Sequence, residues 1–170
     1  SFIVAFVGLF GCIADLGVNS IISRELVNQP QKTNTILGTG FRLKLIGGLL
    51  ALLLTTCALL NINANSIMLP LLIILYSTTF IIQSFNIIAL FFYATVQSKV
   101  NVVAQVSATA LVAILKIILI ATGQGIIWLT IIYALDVVFQ SFFFILVYKK
   151  EGYRLFDWKF DAVLAKQFWH

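Results

Sequence analysis

The sequence predicts an all-α fold, a polytopic transmembrane helical bundle of five spans. Three observations carry that expectation. The chain is 61% apolar and only 10% charged, with a mean hydropathy of +1.06, whereas a soluble domain carries about 25% charged residues. No charged residue occurs between Lys44 and Lys99, a run long enough for two crossings at about 20 residues each. The apolar runs are continuous and do not alternate, which excludes a membrane barrel and leaves the helix as the way to pair backbone groups in lipid. A soluble chain of 170 residues cannot hide this much apolar surface and still cover itself with polar groups. Cytosolic globular enzymes, secreted disulfide scaffolds and disordered chains are therefore excluded.

The five spans fall at about 1–22, 36–60, 68–96, 101–122 and 126–148, and together make one bundle over 1–148. The first carries a small or polar stripe, Gly8, Cys12, Asp15 and Asn19. The second is mostly small on one side, with Gly40, Gly47, Gly48, Ala51, Thr55 and Ala58. The polar group Asn61 to Ser66 separates it from the third. There, Tyr76, Thr79, Gln83, Asn86, Tyr93 and Gln97 recur at helical spacing. The fourth continues the pattern with Asn101, Gln105, Thr109 and Lys116, and the fifth with Tyr133, Asp136 and Gln140. Polar side chains are costly inside a bilayer, so such stripes either join helices or line a hydrated cavity. The small stripe favours packing, and the long polar ones favour a cavity. The two cysteines, Cys12 and Cys57, form no CxxC pair and sit at different depths, so no disulfide is expected.

Connections differ in charge. Of the 11 basic residues, all but Lys116 fall in 23–44, in 97–100 or after Tyr148. The connections 61–67 and 123–125 carry none. The positive-inside rule then makes the basic side cytoplasmic, and the net charge of +5 reflects topology, with no nucleic-acid partner expected. The chain starts at Ser1 inside an apolar run. That start and an outside N-terminus lead to the expectation of a piece of a longer protein, missing an earlier span. The segment 149–170 mixes aromatics with charge and reads either as a cytoplasmic linker or as an interfacial amphipathic segment, with Phe160, Val163, Leu164 and Phe168 on one face.

Five charges lie within spans: Asp15, Arg42, Lys44, Lys116 and Asp136. Asp15 and Arg42 sit at similar depths near the cytoplasmic face, so a structural charge pair of Asp15 with Arg42, or with Lys44, is expected. Lys116 and Asp136 stand eight residues before and twelve after Gln124. Their offset of about 6 Å at 1.5 Å per residue is within reach of a lysine stem. Mutual neutralisation is their minimal role, with substrate or ion contact as an addition. No catalytic constellation, metal-ligand spacing or phosphate-binding glycine loop is present. Neither catalysis, a cofactor nor a metal is expected.

The stretch Ile13 to Leu26, with its continuation Asn34 to Leu45, resembles polysaccharide biosynthesis proteins of the O-antigen flippase type. These belong to the multidrug/oligosaccharidyl-lipid/polysaccharide exporter superfamily. Asp15, Gly17, Arg24 and Glu25 match an Asp-x-Gly that leads into an Arg-rich loop, and Arg42 matches the basic residue opening the next span. The run Phe160 to Lys166 resembles the linker before the seventh span of such proteins.

The resemblance covers essentially the whole chain and implies the second to sixth spans, half of a two-lobed exporter. It implies flipping of a lipid-linked oligosaccharide of the undecaprenyl-diphosphate type across a bacterial inner membrane. The implied partners are that lipid, membrane lipid, a coupling proton or sodium ion, and the missing N-terminal span and C-terminal half. The alternatives are a cation-coupled multidrug exporter and a membrane glycosyltransferase or polymerase of the same pathway. Candidate substrate contacts are Lys116, Asp136, Gln83, Asn86, Gln105 and Gln140. Arg24, Arg42 and Lys44 are candidates for diphosphate capture at the cytoplasmic mouth, since arginine pairs well with phosphate. Alternatively, these three are only the positive-inside signal.

Overall fold

The structure is a computed structural model and describes residues 8, 11, 18–60, 68–95, 98–122 and 126–168. Helix α1 spans Val18–Asn28 and α2 Thr33–Leu60, with a 3-10 turn at Pro30–Lys32 between them. The third apolar segment is broken into α3 (Met68–Ser77), α4 (Thr79–Ile82), a 3-10 stretch at Gln83–Asn86 and α5 (Ile87–Ala94). Helices α6 (Ser98–Ala121) and α7 (Ile126–Lys150) follow, then a 3-10 turn at Leu155–Asp157 and the short α8, Ala162–Gln167. No strand occurs among the described residues, and the chain is a helical membrane bundle. Pro30–Leu59, Pro70–Ala94 and Thr130–Lys150 are long and apolar enough to cross a membrane, and Gln105–Ala121 is a shorter apolar helix.

The packing has two centres. Near the basic end, Val18, Ile22 and Leu26 recur every fourth residue on α1 and bury against Ile36, Leu37, Ile87, Ile88, Phe91 and Phe92. Towards the other end, Ala51 and Leu59 of α2 pack on Leu72, Ile73 and Phe80. Helix α2 packs on α3 and α4, α1 on α5, and α6 on α7. Gly48 permits the α2–α4 approach, because a Cβ there would stand 2.8 Å from the Phe80 carbonyl oxygen. Outward faces remain apolar: Ile46, Leu49, Leu50, Leu53 and Leu54 on α2, and Ile114, Ile117, Ile118 and Ile120 on α6, are exposed. Hydrocarbon is the solvent that suits such faces.

Helix α1 runs six residues beyond the expected end at Ile22. Leu26 continues its buried face, and Gln29 Nε2 donates to Glu25 Oε2 at 2.7 Å across the last turn. Pro30 then starts the 3-10 turn. The break in the third segment has a local cause. Ser77, Thr78 and Thr79 each donate a hydroxyl back to the carbonyl of Ile73, Leu75 or Tyr76, at 2.7, 2.6 and 2.6 Å, and such back-bonding bends helices. On the neighbouring α7, Ser141 Oγ donates to the Ile82 carbonyl at 3.2 Å and braces the break.

The tail combines an extended segment with the short helix α8. After the turn at Leu155–Asp157 the chain runs extended past α2. Lys159 N–H donates to Asn34 O at 3.1 Å, and Asp161 N–H to Thr39 Oγ1 at 3.0 Å. Asp161 then caps α8 by accepting from Val163 N–H at 2.8 Å. Leu164 and Phe168 are buried, whereas Phe160 precedes the helix and Val163 is exposed. Gly38 makes this docking possible: a Cβ there would overlap the backbone of Lys159, 2.8 Å from its nitrogen.

Candidate functional site: a carboxamide-lined cavity

An open cavity of about 220 Å³ lies among six elements of the bundle. Its polar lining is Asn19 from α1, Lys44 from α2, Gln83 and Asn86 from the 3-10 stretch, Tyr93 from α5, Gln105 from α6 and Gln140 from α7. Ala89, Leu90 and Phe144 complete the wall. The 3-10 geometry explains how the third segment contributes twice. Side chains at i and i+3 eclipse in such a turn, so Gln83 and Asn86 reach the same space.

Depth agrees across the helices. Lys44 stands eleven residues into α2, and Gln140 ten residues before the end of α7. At 1.5 Å per residue both lie about 15 Å from the helix ends on the basic side. That is about half of a hydrocarbon core about 30 Å thick. A cation at that depth is expected to face a hydrated cavity, and Lys44 lines this one while only 5% exposed. The Oδ1 atoms of Asn19 and Asn86 are buried without a hydrogen-bond partner. An unpaired buried acceptor costs ~1–3 kcal/mol, so both side chains are poised to turn towards a donor.

Carboxamides both donate and accept. Five of them around one ammonium group can hold a ligand rich in hydroxyls and carrying some negative charge. Four of the six polar candidates from the sequence, Gln83, Asn86, Gln105 and Gln140, meet here, together with Lys44.

The other candidates lie elsewhere. Lys116 Nζ is 3.7 Å from Asp136 Oδ2 and 4.4 Å from the centre of the Tyr133 ring, away from the cavity wall. Arg24 pairs with Glu25 at 3.7 Å, with its side chain 71% exposed. Arg42 lies over the Phe160 ring at 4.9 Å, a cation–π contact that ties α2 to the tail. The expected Asp15–Arg42 pair involves Asp15, which is outside the described residues. Asn19 and Tyr93 also line the cavity and lie on the polar stripes, outside the candidate substrate contacts. Their signal was the helical spacing that links Asn19 to Asp15, and Tyr93 to Asn86.

No curated protein and no solved structure matches the chain. A family model described as polysaccharide biosynthesis protein matches residues 1–168, nearly the full length. The chain belongs to the polysaccharide biosynthesis protein family.

Proposed function

We propose that the chain forms part of a flippase for a lipid-linked oligosaccharide, which it moves between leaflets of a bacterial inner membrane without making or breaking covalent bonds. The observation that supports this most is the cavity at mid-membrane depth lined by Asn19, Gln83, Asn86, Gln105, Gln140 and Lys44. A sugar headgroup presents vicinal hydroxyls that carboxamides can bond from both sides. A diphosphate presents negative charge, which an ammonium at this depth can balance. The polyprenyl chain needs no protein pocket, because hydrocarbon already surrounds the bundle.

In this reading the basic ends of α1, α2 and α7 are cytoplasmic, following the positive-inside rule. The headgroup enters from that side, and Arg24 and Arg42 attract it electrostatically from outside the cavity. The break between α3 and α5 supplies a place where one wall can bend, since mid-helix 3-10 stretches often mark hinges. A proton or sodium gradient would supply the direction.

A clean deletion of the gene, in a strain with no redundant flippase, tests the proposal. Undecaprenyl-linked repeat units should accumulate in the cytoplasmic leaflet and surface polysaccharide should fall. Normal surface polysaccharide in that strain would refute it.

A further inference from the structure

A second cavity, of about 670 Å³, lies at the basic end of α7 and has no part in the proposed transport path. Its origin is the way α7 stops. Gly152, at φ 86°, closes the helix with two bonds: its own N–H donates to Lys149 O at 3.0 Å, and Tyr153 N–H donates to Tyr148 O at 3.2 Å. This paired glycine cap reverses the chain sharply. It stacks Tyr153 on Tyr148, with ring centres 5.2 Å apart. Arg154 then lines the same cavity as Lys149, and Phe156 in the turn at Leu155–Asp157 is fully exposed. The cavity is lined by Lys149, Gly152, Tyr153, Arg154, Leu155 and Phe156.

Two features define what would fit. Lys149 and Arg154 are the charged groups of the lining, and neither forms an ion pair with a described residue. Phe156 is 101% exposed, the most exposed large apolar side chain among the described residues. Both occur where the apolar face of α7 ends, at the level of the lipid headgroups. Aromatic side chains concentrate at that level, and basic residues there attract anionic lipid.

We infer that this corner binds the headgroup of an anionic phospholipid, with its phosphate between Lys149 and Arg154 and Phe156 inserted beside its acyl chains. Arg154 supplies a planar fork for phosphate oxygens and Lys149 a point charge. A free phosphate would satisfy the two cations but leave Phe156 in water, so the membrane lipid is the occupant that uses all three residues. The inference is independent of the flippase reading, since it concerns a site at the membrane surface and is read without transport.

The test is native mass spectrometry of the full chain released from nanodiscs of mixed phosphatidylglycerol and phosphatidylethanolamine. The natural protein should retain phosphatidylglycerol. Lys149→Gln with Arg154→Gln should retain about thirtyfold less, the sum for two basic residues beside an anionic surface. Lys149→Arg with Arg154→Lys should retain it. Phe156→Ser removes a side chain with no buried surface, so it keeps the fold and should weaken retention by itself. Millimolar inorganic phosphate should not displace the lipid. Equal retention by the glutamine double variant and by Phe156→Ser would overturn the inference, and so would displacement by inorganic phosphate.

Discussion

Lys116 Nζ of α6 lies 3.7 Å from Asp136 Oδ2 of α7, and the two side chains are equally accessible, at 29% and 30%. The pair closes the hairpin formed by these helices, and the Tyr133 ring supports the ammonium from one side. Neither charge reaches the carboxamide cavity. At this separation each charge can neutralise the other.

Single changes at this pair should be worse than the double change. Lys116→Ala leaves Asp136 alone and Asp136→Ala leaves Lys116 alone. An unpaired charge within a span costs up to ~2.5–3.5 kcal/mol, reduced here by the partial exposure of both groups. Either single variant should lower the amount of folded protein in membranes. The double alanine variant should restore both the protein level and surface polysaccharide. Recovered protein with lost polysaccharide would assign Lys116 a transport role instead.

Gly38 should be intolerant of any side chain. Its Cβ would collide with the Lys159 backbone, so Gly38→Ala must displace the strap from Trp158 to Asp161. Overpacking of this kind costs ~1–3 kcal/mol. The strap also holds Trp158, whose Nε1 donates to Tyr148 OH at 3.1 Å. In a background with Trp128 and Trp169 changed to Phe, emission from Trp158 should shift in Gly38→Ala and the unfolding midpoint should fall. An unchanged spectrum and midpoint would show that the strap does not need this contact.

Ser141→Ala removes a side-chain bond from α7 to the break in the third segment, at Ile82 O. Interhelical hydrogen bonds in membranes average ~0.6 kcal/mol, so global stability should change little. The effect should be local: faster hydrogen exchange over residues 78–86, with α2 unchanged. Uniform exchange in the variant would mean that the serine does not brace the break.

The membrane bundle was readable because one strong signal, the absence of charge from Leu45 to Ser98, leaves few alternatives. The polar stripes include Gln83, Asn86, Gln105 and Gln140, which line one cavity, because helical spacing places such residues on one side. What spacing could not show is the interruption at Ser77 to Asn86. Those residues fit an unbroken helix by spacing alone, and the bonds made at the break, three hydroxyls bonding backwards and Ser141 from another helix, leave no mark on the spacing. The tail was opaque for a similar reason. Phe160, Val163, Leu164 and Phe168 look like one apolar face, but Gly38 and Thr39, more than a hundred residues earlier, hold the chain extended at Lys159 and Asp161. Lys44 was grouped with Arg24 and Arg42 by charge and position. Only the packing of α2 separates the buried lysine on the cavity from two arginines held by Glu25 and Phe160.

The proposed transport assigns passage of the headgroup to the cavity of Gln83, Asn86, Gln105, Gln140 and Lys44. Its most direct test is leaflet-to-leaflet transfer of a fluorescent undecaprenyl-diphosphate oligosaccharide in proteoliposomes containing the full chain. Gln105→Leu with Gln140→Leu keeps both helices apolar and removes two hydrogen-bonding groups from the wall. At ~1–1.5 kcal/mol for each lost hydrogen bond, transfer should fall by about 30-fold to 150-fold while the protein level and unfolding midpoint hold. Transfer by the leucine double variant at the rate of the natural protein would refute that assignment.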